Sequence, residues 1–307
     1  MDRFVKILVG VDLADETHLV SRRGLGERGA NALAQATWIA AASGAELRIA
    51  HALPLGPRSH DLLRRHGAAA ASSPAQLAEE RLRELADGAR EFGVRTSFKV
   101  LVGPPPRALL AEARDWGAGL IVLAGRDREC AVGLLGSTAA RVFRSADIPV
   151  WIARRSTRRN MRDVLAAVTL DEHSHGVLRL AADTARRTGA RLHALHVAGD
   201  AGPERVVPAL EALEAWVRAH AADVCIGSVQ VRGGVPSAEI LDTAAAVGAD
   251  AVFIGPSRRA ALLARLGSGA TSPLLKRLEC SLVCARAVPG SPKWPVPSLS
   301  REALATS

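Results

Sequence analysis

The sequence predicts an α/β protein built from two tandem Rossmann-like domains, each a five-stranded parallel sheet of order 3-2-1-4-5 with helices on both faces. Three observations carry this expectation. The chain has 307 residues, more than one compact core usually organises. Continuous apolar runs at Lys6 to Val11 (KILVGV) and Asp163 to Val168 (DVLAAV) are what strands buried on both faces of a parallel sheet require. The same succession of strand and helix patterns then follows each run, and crossovers of this length give parallel neighbours.

Taken in order, each first strand is followed by an Ala-rich helical pattern that stops at a glycine, Gly44 in GANALAQATWIAAASGA and Gly189 in GVLRLAADTARRTGA. AELRIAHAL and ARLHALHVA read as second strands, with Leu47 matching Leu192 and His51 matching His196. Third strands are expected around Phe98 to Val102 and Val229 to Val231. Gly103 to Pro105 matches Gly234 to Pro236 as Gly-x-Pro, and proline suits a helix entry because the first turn has no use for its missing N–H. The helices RALLAEARDWGA and AEILDTAAAVGA lead to fourth strands LIVLAG and AVFIG, and PVWIA and SLVCA read as fifth strands. The domains are therefore expected at 1–153 and 162–286, joined by a basic linker at 154–161 and followed by a Pro-rich tail at 287–307. Residues 58–73 read as an elaboration of the first domain. Edge strands with apolar faces need cover, so the fifth strands, Val150 to Ala153 and Leu282 to Ala285, are expected to pair the two halves within one chain.

Composition narrows the function classes. At 48% hydrophobic and 23% charged residues the chain has ordinary globular usage, and no run of about eighteen apolar residues suggests a membrane span. The start, MDRFVKILVGVDLADET, reads as a strand and not as a signal peptide. Cys130, Cys225, Cys280 and Cys284 lack zinc-site spacing and suit a reducing cytoplasm. The net charge of +9 favours anionic ligands, but 3% aromatic residues and no recognition helix argue against specific nucleic-acid binding.

A buried first strand ending in Asp12, an LHV-like second strand, Gly-x-Pro, a fourth strand ending in Gly, a Gly-Ser pair and a Pro-Val fifth strand together resemble the universal stress protein family. The resemblance covers most of residues 3–153 and 162–286. It implies a small-molecule ligand, an adenine nucleotide, ATP or AMP, with magnesium if ATP, at the carboxyl ends of the strands. It also implies pairing through last strands, here internal, with a homodimer as a further state. Nucleotide-binding members carry Gly-x2-Gly-x9-Gly-[Ser/Thr], whose bare backbone lets amides approach phosphate. Here Arg128 replaces the second glycine after Gly125, and Gly136-Ser137 arrives two residues early, with Thr138 next. In the second half Arg258 follows Gly255 in that place, and Gly267-Ser268 arrives one residue early. The resemblance makes Asp12 the ribose ligand and Ala52 and Val197 the adenine-facing positions, while Thr169 replaces the aspartate of the second half. Asp171 stands two residues on and compensates only if the backbone bends there.

Simpler readings stand beside these. Loop arginines such as Arg126, Arg128, Arg258 and Arg259 either bind phosphate or are solvated. His51 and His196 have a packing or hydrogen-bonding role inherited by duplication. His173 to Gly176 reads as a solvated turn. No Ser, His and Asp can be placed together on neighbouring strands, so an enzyme is disfavoured. The expected function is a stress-responsive regulatory protein binding a nucleotide in the first domain. Its rivals are an interaction module without nucleotide, and a slow ATP hydrolase or autophosphorylating protein with Ser137 or Thr138 as acceptor.

Overall fold

The computed structural model describes residues 5–13, 25–53, 74–125, 137–154, 161–170, 174–199, 203–255 and 277–285. The chain divides into two compact units, Met1–Ser156 and Thr157–Ser307. The first unit runs β1 (Lys6–Gly10), α1 (Glu27–Ser43), β2 (Glu46–Leu53), α2 (Pro74–Arg90), β3 (Thr96–Val102), α3 (Pro105–Trp116), β4 (Leu120–Ala124), α4 (Ser137–Ser145) and β5 (Val150–Ala153). All its pairings are parallel, and they give the order β3-β2-β1-β4-β5. The second unit runs β6 (Asp163–Val168), α5 (Ser174–Thr188), β7 (Arg191–Val197), α6 (Pro203–His220), β8 (Ile226–Arg232), α7 (Pro236–Val247), β9 (Ala251–Ile254) and β10 (Ser281–Cys284). Its order is β8-β7-β6-β9-β10, again all parallel.

The central strands are apolar without alternation because helices cover both faces. Ile7, Leu8 and Val9 are fully buried, as are Val164, Leu165 and Ala166. Helices α3 and α7 show how the duplicated loops are cut. Each has proline in its first turn and ends on a left-handed glycine, Gly117 at φ 71° and Gly248 at φ 61°. At those ends the Ala118 amide returns to the Ala113 carbonyl at 2.8 Å, and Ala249 returns to Ala244 at 2.9 Å.

Three helices, α2, α4 and α6, have no counterpart in the sequence reading. α2 buries Ala78, Leu82, Ala86 and Ala89, a spacing that marks one helical face, but the face is mostly alanine and carries a weak apolar signal. α6 contains Pro208 in its interior, which masks the helical pattern.

Two expectations are corrected. Ser174 and His175 lie in the first turn of α5, not in a solvated turn, and His175 is buried. Its ring stands edge-on to Trp216 and accepts the indole N–H at Nδ1 across 2.7 Å, a bond that a solvated turn could not hold. Asp163, His193 and Ser228, on β6, β7 and β8, are joined by hydrogen bonds, so Ser, His and Asp do meet on neighbouring strands. The parallel sheet brings together residues far apart in sequence, which spacing along the chain does not show.

Gly10 closes β1 in a tight place. A Cβ there would lie 2.6 Å from Leu123 Cδ2 and 3.1 Å from Leu109 Cδ1. Gly10→Ala is expected to destabilise the first unit by about 1–3 kcal/mol through overpacking, read as a lower midpoint in urea unfolding.

Candidate functional site

The carboxyl ends of β1, β2 and β4 open on a cleft of about 360 Å³. Its floor is backbone and small side chains, Gly10, Ala50, Ala52 and Ala124, because any larger residue on these strands would fill the space. Pro105 and Leu109 of α3 form an apolar wall. Gly26, Arg28 and Gly29 at the start of α1 form one rim, and Ser137, Thr138 and Ala139 at the start of α4 form another. The cleft therefore combines an apolar wall with a carboxylate, a guanidinium and a helix N-terminus whose first amides have no partner within the helix. A ligand with a flat apolar part and an anionic part matches this distribution.

Asp12 is exposed just past β1, where the Val11 amide still donates to the Ala50 carbonyl at 2.9 Å. His51 fixes this strand end. Its ring is buried, and Nδ1 lies 3.1 Å from the Val11 carbonyl and 3.3 Å from the Leu13 amide. A neutral ring donates to the first or accepts from the second according to its tautomer. Burial pushes the His51 pKa down, and the Val11 hydrogen bond and the Asp12 charge offset this only in part. The ring is therefore neutral near pH 7. His196 repeats the arrangement, with Nδ1 3.1 Å from the Val168 carbonyl.

Gly125 continues the ladder of β4 by donating to the Ala153 carbonyl at 2.7 Å. A Cβ at that position would meet the same carbonyl at 3.1 Å and Ile152 Cγ2 at 3.2 Å, so packing alone calls for a bare residue.

The cleft thus gathers five residues read from the sequence: Asp12, Ala52, Gly125, Ser137 and Thr138. Val197 and Gly255 are buried at the corresponding strand ends of the second unit. Thr169 follows β6 there, and the next residue, Leu170, turns the backbone with φ 56°. Arg128, Gly136, Asp171, Gly267 and Ser268 lie outside the described residues. Sequence reasoning missed Arg28 and the α3 wall. A glycine followed by Glu27 and Arg28 just before an Ala-rich helix was the available signal for the first.

Among the described residues there is no group of three or more His, Cys, Asp or Glu able to hold a metal. No described helix is long and apolar enough to cross a membrane.

The fold and this cleft define a tandem Rossmann-like protein with a ligand-sized opening at the carboxyl ends of a parallel sheet. The model of the Universal stress protein family matches residues 4–154 and again residues 160–286. The chain belongs to the universal stress protein family. It is similar to a universal stress protein structure from Archaeoglobus fulgidus, at 17% identity and TM-score 0.69, over 94% of this chain and 100% of that one. A universal stress protein structure from Pseudomonas aeruginosa is 20% identical with TM-score 0.65, over 92% of this chain and 93% of that one. A third, from Archaeoglobus fulgidus in complex with dAMP, is 22% identical with TM-score 0.33, over 48% of this chain and 97% of that one. Among curated proteins none matches this sequence.

The depressed His51 pKa has a defined sign. The unfolded chain binds the proton more readily than the folded one, so stability is complete above about pH 6.5 and falls as pH drops below it. Unfolding midpoints measured at pH 7.5 and 5.5 should fall with acid in the wild type. In His51→Gln the acid-dependent fall should be smaller, because that side chain does not titrate.

Proposed function

We propose that the first unit binds an adenine nucleotide, ATP or AMP, as a regulatory ligand, and that the protein works as a stress-responsive regulator in the cytoplasm. The observation that supports this most is the convergence of Asp12, Ala52, Gly125, Ser137 and Thr138 on one cleft. In this reading the base packs against Ala50, Ala52 and the Leu109 wall. Asp12 accepts hydrogen bonds from the ribose hydroxyls. The phosphates face the α4 N-terminus, where amides and the Ser137 and Thr138 hydroxyls donate, with Arg28 across the rim.

Asp12 is the single carboxylate among the described lining residues. A magnesium ion accompanying ATP would therefore be held chiefly by phosphate oxygens and water. The second unit has Thr169 where the first has Asp12, so a nucleotide is expected to prefer the first.

Titration calorimetry with AMP and ATP tests the reading. Asp12→Ala should weaken binding by about 1.5–3 kcal/mol, roughly tenfold to a hundredfold, since it removes a charged acceptor. Thr169→Ala should leave affinity unchanged. No heat of binding from the wild type, or an affinity lost with Thr169 and retained without Asp12, would overturn the assignment in favour of an interaction module without nucleotide.

A further inference from the structure

At the opposite ends of the strands, the second unit carries a polar chain that nucleotide binding does not use. Asp163 opens β6, His193 lies on β7 and Ser228 on β8. His193 Nε2 is 2.9 Å from Asp163 Oδ1, and His193 Nδ1 is 2.9 Å from Ser228 Oγ. A carboxylate only accepts, so Nε2 carries a proton, and in the neutral ring Nδ1 is then the acceptor to which the serine hydroxyl donates. Asp163 and His193 are 2% and 6% exposed, whereas Ser228 is partly open to solvent.

The neighbours hold this chain in place. Arg191 grips Asp163 through Nε at 2.7 Å and Nη2 at 3.0 Å. Burial acts to raise the Asp163 pKa, but the hydrogen bonds from Arg191 and His193 outweigh it and keep the carboxylate ionised. The register of β7 and β8 slips between Leu192 and His193, where Gly227 is skipped. A Cβ at Gly227 would stand 2.2 Å from His193 Cε1, so only a bare residue leaves room for the ring.

Gln230 lies two residues along the same face. Its Nε2 is 2.9 Å from Ser228 Oγ, and its Oε1 accepts from Arg232 Nε at 3.2 Å. Arg232 is in turn held by Glu239 at 3.3 Å. The arginine fixes which end of the amide faces the serine, leaving N–H donors beside Oγ.

The fold itself does not call for such a chain. At the equivalent register the first unit has Lys6, Arg48 and Ser97, with Arg48 Nε donating to Ser97 Oγ at 3.1 Å. Arg48 and Lys99 there neutralise the buried Glu112. In that cluster Ser97 faces a guanidinium where Ser228 faces an imidazole.

We propose that Ser228, His193 and Asp163 form a nucleophilic serine site that hydrolyses small carboxylic esters, with Gln230 donating to the developing oxyanion. Ser228 Oγ attacks the acyl carbon, an Oγ–C bond forms, and the hydroxyl proton passes to His193 Nδ1. The carbonyl oxygen takes up negative charge against the Gln230 amide. The bond to the leaving alkoxy group then breaks, and that oxygen receives the proton from His193 to depart as an alcohol. Water, deprotonated by His193, attacks the acyl-serine. The carboxylic acid leaves, and Oγ regains its proton. Asp163 is a positioning residue that holds the imidazole in the tautomer required.

The full-length protein is treated with a fluorophosphonate probe, and its peptides are examined by mass spectrometry. Hydrolysis of 4-nitrophenyl acetate is followed in parallel. A phosphonyl adduct on Ser228 is expected, with labelling and ester turnover reduced about a hundredfold or more in His193→Ala, and turnover similarly lost in Ser228→Ala. Asp163→Asn should lower kcat at unchanged KM and unchanged circular dichroism, a split that a merely structural role would not produce. Absence of an adduct on Ser228 in the wild type would overturn the proposal. So would labelling of His193→Ala at the wild-type rate. The labelling of wild-type protein needs no variant to fold, and it is independent of whether the first unit binds nucleotide.

Discussion

Burial of the central strands on both faces constrains everything else in this protein. Ile7 to Val9 in β1 and Val164 to Ala166 in β6 have no solvent-facing side, so a polar group along them would lack both water and a partner. Chemistry can enter only where the strands emerge. At the carboxyl end of β1 stands Asp12, with Gly10 and the small residues of β2 leaving space before it. At the amino end of β6 stands Asp163, buried yet satisfied by Arg191 and His193.

Duplication supplies a comparison within one chain. The units share strand order, Gly-x-Pro turns and the histidine that ties the second strand to the end of the first, through Val11 in one and Val168 in the other. These features are set by backbone geometry and are kept in both halves. The groups at the strand ends are free of that geometry, and they have diverged. Asp12 is matched by Thr169 at one end. Lys6, Arg48 and Ser97 are matched by Asp163, His193 and Ser228 at the other. Equivalent positions thus carry opposite charge on one scaffold, so the fold constrains where polar groups stand and not which they are.

The same distinction explains what the sequence reveals. Strands sealed on both faces print unbroken apolar runs, so β1, β4, β6 and β9 are legible directly. Helices α2 and α6 are not, because α2 packs mostly alanine and α6 holds an internal proline. In the cleft, Asp12 and Gly125 sit at strand ends and follow from the strand assignment and the family resemblance. Arg28 does not, since only the packing of α1 brings its first turn over the opening. The chain from Asp163 to Ser228 is less legible still. Leu192 faces Ile226, and simple continuation would set His193 opposite Gly227; the bulge advances β8 by one residue and brings Ser228 to the imidazole instead. No pattern of residue types announces that shift.

Distance keeps the two ends of a unit separable. From Asp163 to Thr169 is six residues of extended chain, roughly 20 Å at about 3.3 Å per residue. Between them lie only packed apolar side chains, and none of these offers a second hydrogen-bonding arrangement to carry a signal. Charges so far apart across a protein in physiological salt are well beyond the screening length of about 8 Å on the solvent side. Groups without shared partners at that separation act on stability nearly additively. A change at one end of β6 therefore leaves the other end its own geometry. Each end of each unit has been able to acquire or lose chemistry alone, so four strand ends on two copies of one fold can hold four different arrangements.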